Sequence, residues 1–262
     1  MINNPKSLEN EYDFISLLGE GAFGKVYKVK KKRNGKLYAI KLEEKDSEIA
    51  LLKNEIKIYR YLSNVSTISR LYWYGVNSGV RYGVFDLYEN DLATIDIKQY
   101  NIHSLFLQML SIIEHIHRCG IIHRDLKPAN FMIKQENVYL IDFGLSKPYK
   151  INHKHIEKTY TKAIIGNRLF CSPYVQSNIE PSRRDDLISL GYCYVYLLTS
   201  SLPWTVQTIQ SKLTYSTYNL YLYTNKQPII FYLFQYAFSL SFETSIDFNK
   251  LIILLNHYQI TT

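Results

Sequence analysis

The stretch "IIHRDLKPANFMI", residues 121–133, sets His123, Arg124, Asp125, Lys127 and Asn130 between two apolar ends. Apolar flanks press such a segment against a core, and a charge held there is costly unless it is paired or does chemistry. The polar spacing therefore needs a reason. Phosphoryl transfer to a hydroxyl needs a carboxylate near the acceptor, a cation to offset charge on the transferring group, and oxygen ligands for Mg²⁺. Asp125, Lys127 and Asn130 can supply all three from one loop.

Working outward, "LIDFGLSKPY" (140–149) brings Asp142 twelve residues after Asn130. Its carboxylate can hold a metal that bridges phosphates, with Phe143-Gly144 setting its orientation. Upstream, "LGEGAFGKV" (18–26) places Gly19, Gly21 and Gly24 as GxGxxG, a spacing that dinucleotide-binding turns share. A dinucleotide turn follows a strand and opens a helix. Here the glycines lie between two alternating stretches, so a strand–turn–strand arrangement is expected. Lys41 in "LYAIKLE" sits on a strand among apolar neighbours, and Glu55 on the following helix can hold its ammonium toward a phosphate.

The surrounding pattern supplies the scaffold. From about Tyr12 to Phe85 it is mostly strand-like. "FISLLGEGAFGKVYKVKKKRNGKLYAIKLE" alternates on either side of Asn34-Gly35, a two-residue hairpin signal that predicts three strands. The basic run Lys30–Arg33 beside it reads as a solvated hairpin tip. "SEIALLKNEIKIYRYLS" (47–63) predicts a helix capped by Ser47 with Ile49, Leu52, Ile56 and Tyr59 on one face. Two strands follow, "SRLYWYGVN" and "VRYGVFDLY", separated by Ser78-Gly79. After Asn90 the pattern turns helical: an amphipathic helix stopping at Gly120, and "RRDDLISLGYCYVYLLTSSLPW" (183–204), apolar nearly all round and so expected at the centre of a lobe.

Five features occur in order across residues 18–144: the glycine-rich loop, the "AIK" lysine, the helix glutamate, "HRDLKPAN" and "DFG". In this the sequence resembles the eukaryotic protein kinases. Lys127 is similar to the serine/threonine type. The second half resembles the casein kinase I family, through "SRRDDL" (182–187), "SLGY" (189–192) and "SLPW" (201–204), with "NEIKIY" and "YAIKLE" earlier.

The resemblance implies an α+β bilobal fold. All of residues 1–262 would form one catalytic domain, with an N-lobe of about 12–87 (a small antiparallel sheet with one helix) and a larger, mainly helical C-lobe of about 88–262. It implies transfer of the ATP γ-phosphoryl group to Ser/Thr hydroxyls. Asp125 would be the catalytic base, Lys127 would contact the γ-phosphate, and Asn130 and Asp142 would ligate magnesium. Lys41, paired with Glu55, would hold the α- and β-phosphates. Leu18 and the three glycines would cover the nucleotide; Val26, Ala39 and Met132 would sandwich the adenine. The segment Asp86–Tyr88 would be its hinge, and Asp186 would bond to the catalytic-loop backbone.

The resemblance also implies acidic or pre-phosphorylated protein substrates, met by a basic pocket beside the activation segment. Lys162 falls on one of its basic positions. The arginine expected at 169 is Leu169, with Arg168 displaced by one; the glycine after "SLPW" aligns near Val206, and the basic cluster beyond it is thinned to Lys212.

Composition agrees with a globular protein: 262 residues, 47% hydrophobic, with a formal charge of +8 that permits an anionic partner. Three separated cysteines, Cys119, Cys171 and Cys193, give no metal spacing and fit a reducing compartment. The first residues lack a secretory pattern, and no apolar run reaches the length of a membrane span. The expected location is cytoplasmic, with the nucleus as a further site, and the expected state a monomer without nucleic-acid or membrane partners. Against catalysis stands the reading of a kinase-like scaffold that binds without transferring; it would be favoured by loss of Lys41, Asp125, Asn130 or Asp142, and all four are present.

Overall fold

The computed structural model describes residues 6–21, 24–47 and 49–258. The chain divides into two compact units, Met1–Glu89 with Ile141–Leu145, and Asn90–Leu140 with Ser146–Thr262.

In the first unit a short helix α1 (Lys6–Glu11) precedes strands β1 (Tyr12–Gly21), β2 (Gly24–Lys31) and β3 (Leu37–Glu44). Helix α2 (Leu51–Tyr61) and strands β4 (Leu71–Asn77) and β5 (Val80–Phe85) follow. The five strands form one sheet in the order β1-β2-β3-β5-β4, every neighbour antiparallel. Alternation along β3 buries Ile40 and Leu42 against Leu8, Tyr12, Val29 and Val84, and turns Ala39 and Lys41 to the other face.

Two local expectations are corrected. The Asn34-Gly35 signal predicts a two-residue turn, which needs positive φ at both central residues. Only Gly35 has it (φ 68°), and Lys31 N–H donates to Lys36 O, so the loop spans four residues. The tight turn is instead Ser78-Gly79, with φ of 48° and 77° between the paired Asn77 and Val80. Ser47 does not cap α2: its hydroxyl donates to Ile49 O, and Ile49 lies exposed outside the helix. The Leu52 amide is satisfied by the Glu43 carboxylate from β3 at 2.9 Å, and Arg81 pairs with that carboxylate at 2.6 Å. A cap contributed across the fold replaces a local one.

The second unit contains β6 (Asn90–Asp91), α3 (Ile102–Arg118), β7 (Ile121–Ile122), β8 (Phe131–Lys134), β9 (Asn137–Leu140), β10 (Lys147–Pro148), β11 (Lys150–Ile151) and β12 (Lys154–His155). Helices α4 (Pro173–Gln176), α5 (Arg183–Thr199), α6 (Thr217–Tyr223), α7 (Pro228–Ser239) and α8 (Phe248–His257) complete it. Strands β6, β8 and β9 form one small sheet, while β7 pairs with β10 and β11 with β12. Helix α5 is buried on nearly every side, as its apolar periphery requires. Tyr194 stacks on Phe106 of α3 at 4.1 Å, and Gly191 lets Phe234 of α7 approach to where a Cβ would meet its ring at 2.8 Å. The helix stops at Thr199, five residues short of the expected end, because Ser200 turns left-handed (φ 58°). Among the described residues no helix is long and apolar enough to cross a membrane.

Candidate active site

Each unit carries its own cluster. In the first, Lys41 Nζ lies 2.6 Å from Glu55 Oε2 and 3.0 Å from Asp142 Oδ1. Strand β3 and helix α2 bring the first two together. The segment Ile141–Leu145 brings the third. Burial pushes the Glu55 carboxyl up to about 7, opposed by Lys41 and reinforced by Asp142. Burial alone would lower Lys41, but the two carboxylates outweigh it and raise its pKa. Asp142 adopts φ 65°, a strained backbone for a residue with a Cβ, and its amide donates to the Tyr59 hydroxyl at 3.3 Å. Asn54 donates to Gly144 O at 2.9 Å, so α2 grips the segment beyond Asp142 as well.

The glycine-rich stretch is the turn of the β1–β2 hairpin, as expected, with Gly21 paired to Gly24; Ala22 and Phe23 between them lie outside the described residues. Its three glycines are not equivalent. Gly24 (φ 151°) leaves no room for a Cβ, which would sit 2.1 Å from Leu42 O. A Cβ at Gly19 or Gly21 would meet nothing within 4 Å among the described residues. Leu18 falls in the β1 irregularity between Leu17 and Gly19 and is half exposed. Gly19 pairs with Val26, Val26 with Lys41 and Lys41 with Gly83, one row across the sheet. Ala39, two residues from Lys41, shares that face. Asp86 and Tyr88 follow β5; the Asp86 carboxylate accepts from the Arg70 amide at 2.9 Å and the Tyr72 hydroxyl at 2.8 Å.

In the second unit, the opening stretch runs from β7 through a 3₁₀ turn at Pro128–Asn130 into β8, which carries the half-buried Met132. Asp125 Oδ1 accepts from the Asn167 amide at 2.6 Å and Oδ2 from Lys127 Nζ at 2.8 Å. Asn130 Nδ2 donates to Asp125 O at 2.9 Å. Beneath the loop, Asp186 of α5 accepts from the amides of His123 and Arg124 at 2.8 and 2.9 Å and from His117 Nε2 at 2.9 Å. Burial would raise the Asp186 carboxyl; the hydrogen bond and charge of His117, with His123 beyond, reverse this and hold it below its ordinary range. Arg124 is left-handed (φ 70°), and its guanidinium meets Glu180 at 3.0 Å, which Lys147 also pairs at 2.9 Å.

The residues expected to recognise an anion stand in different surroundings. Lys162 and Arg168 have exposed side chains. Lys212 is 1% exposed, and its ammonium donates to Arg168 O at 2.5 Å and Cys171 O at 2.9 Å. Trp204 Nε1 adds a bond to Leu169 O at 2.9 Å. A cation spent on backbone carbonyls ties the loop rather than facing a substrate, and sequence spacing cannot distinguish the two uses. Asn167 also escapes sequence reading, because it acts through its main chain. His117 is detectable in principle, as a polar residue on the apolar face of α3.

A family model described as a protein kinase domain matches residues 12–252. The chain belongs to the protein kinase domain family, and membership implies phosphotransfer from ATP to protein substrates.

Proposed function

We infer that the chain is a serine/threonine protein kinase of casein kinase I type, acting on acidic protein substrates. The observation that carries the catalytic reading is Asp125, whose two carboxylate oxygens are aimed by the Asn167 amide and the Lys127 ammonium. In this reading Asp125 orients the acceptor hydroxyl and takes its proton, and Lys127 offsets charge on the transferring phosphoryl group. Lys41, held by Glu55, meets the nucleotide phosphates. Val26 and Ala39, on the Lys41 face, and Met132 contact the adenine, with Asp86–Tyr88 as hinge. The space at Gly19 and Gly21 supports close approach of phosphates to that backbone, since no contact among the described residues demands glycine there.

Each unit offers a donor that suits a hard divalent cation: Asp142 a carboxylate in the first, and in the second Asn130, its amide nitrogen committed to Asp125, an amide oxygen. By the family resemblance both would ligate magnesium, which would neutralise phosphate charge. The casein kinase I assignment rests on "SRRDDL", "SLGY" and "SLPW", and the serine/threonine type on Lys127 beside the base. With Lys212 committed to carbonyls, acidic side chains are met by the exposed Lys162 and Arg168 through charge alone, and a phosphorylated priming residue is not required.

The test is phosphate transfer from ATP with Mg²⁺ to an acidic protein, to a peptide carrying phosphoserine three residues before its target serine, and to the unphosphorylated twin. The expected result is transfer that Asp142→Ala abolishes, with the twin peptides within a few-fold of each other. Strong preference for the phosphopeptide would overturn the substrate reading. Nucleotide binding without transfer to any acceptor would overturn the kinase reading in favour of a scaffold.

A further inference from the structure

A cavity of about 410 Å³ opens in the second unit, between the end of α3, Tyr149-Lys150, the start of α5 and the segment entering α8. All of its lining residues belong to that unit, and none belongs to the catalytic loop.

Arg183 lines it and is 7% exposed. Its guanidinium donates to Ser245 Oγ at 3.0 Å and to Glu243 O, and stacks 4.5 Å from the Tyr149 ring centroid. It has no carboxylate partner among the described residues, and its Nε has no hydrogen-bond partner. A buried cation without a counter-charge is costly. Nearby charges do not supply one. Glu114 is taken by Arg118 at 2.6 Å, and Asp247 accepts the Lys250 amide as the cap of α8. Lys150 adds a second positive charge at the mouth.

A second buried group points the same way. His117, 3% exposed, also lines the cavity, and its Nδ1 has no partner among the described residues, whereas its Nε2 is bound to Asp186. The first turn of α8 adds the positive end of its dipole at Phe248-Asn249. Tyr149, Ile246 and Phe248 give the cavity apolar walls.

We propose that this cavity is a binding site for a small organic anion, a phosphate or carboxylate on an apolar body, with Arg183 and Lys150 meeting the charge. Its floor is His117, which through Asp186 holds the His123 and Arg124 amides. Occupancy is thereby sensed at the backbone of the catalytic loop.

The probes are phenyl phosphate, inorganic phosphate and benzyl alcohol, titrated by calorimetry into the full chain with ADP saturating, so that the nucleotide site is not the one titrated. Imidazole carbon–proton spectra, with the His117 signal assigned by His117→Gln, report the floor. Saturable binding of phenyl phosphate that moves the His117 signal is expected, with inorganic phosphate weaker and benzyl alcohol weaker still. The exposed Lys150→Glu change should weaken phenyl phosphate about tenfold, and Arg183→Gln at least as much. Absence of saturable binding would overturn the proposal. So would binding that Lys150→Glu leaves unchanged, whatever the folding of Arg183→Gln, or equal affinity for benzyl alcohol.

Discussion

The two clusters are held together by different forces. The Lys41 cluster consists of three charged side chains from distant parts of the sequence, one of them a carboxylate raised to about 7. The Asp125 loop is held mainly by main-chain donors: the Asn167 amide on Asp125, and the His123 and Arg124 amides on Asp186. The Glu55 carboxyl is raised to about 7, whereas the Asp186 carboxyl that anchors the loop amides is held below its ordinary range, so falling pH should disturb the first cluster before it reaches that anchor. Conversely, a change of loop path should disturb the second and spare the first.

The largest expected effect breaks the second cluster at its centre. Asp125→Asn keeps the size of the side chain and removes its basicity, so kcat should fall by about 10²- to 10⁴-fold. Nucleotide affinity, measured by calorimetry, should stay near wild type. Near-normal turnover in this variant would rule Asp125 out as the base.

A smaller effect tests the loop path. Lys212→Met removes the donor shared by Arg168 O and Cys171 O, leaving buried carbonyls unpaired at about 1–3 kcal/mol of stability. If the tie serves Asp125 through Asn167, kcat should fall about tenfold while the KM for ATP holds. A loss of stability with unchanged kcat would make Lys212 a packing element alone.

The smallest effect concerns pH. Glu55 carries its charge only above about 7, so the Lys41 pair is complete on the alkaline side and lost as pH falls through that value. Wild-type kcat/KM should therefore show an acidic limb near 7. Glu55→Gln should flatten that limb and, above it, lower activity by less than about tenfold. An unchanged limb would assign the titration to another group.

How far these clusters were legible in the sequence depended on what holds them. Lys41, Glu55, Asp125 and Asn130 act through side chains at recognisable spacings, and the order of strands and helices followed from hydrophobic period. Features built by tertiary contact were hidden. The α2 cap is Glu43, a strand residue eight positions before the helix, whereas the adjacent Ser47 has the right chemistry and does not use it. Asn34-Gly35 and Ser78-Gly79 carry comparable turn signals, but strand register decided which closed in two residues. Lys212 has the residue type of an anion ligand, and only its burial shows that it serves the chain.

The glycine-rich turn separates two kinds of selection. Any side chain at position 24 would strike Leu42 O, so that glycine is demanded by folding itself. A Cβ at 19 or 21 would meet none of the described residues within 4 Å. A lineage that abandoned nucleotides while keeping this architecture would be free to drift at 19 and 21 and bound to keep 24. The pattern of glycine loss among descendants would then record whether their ancestors had stopped using ATP.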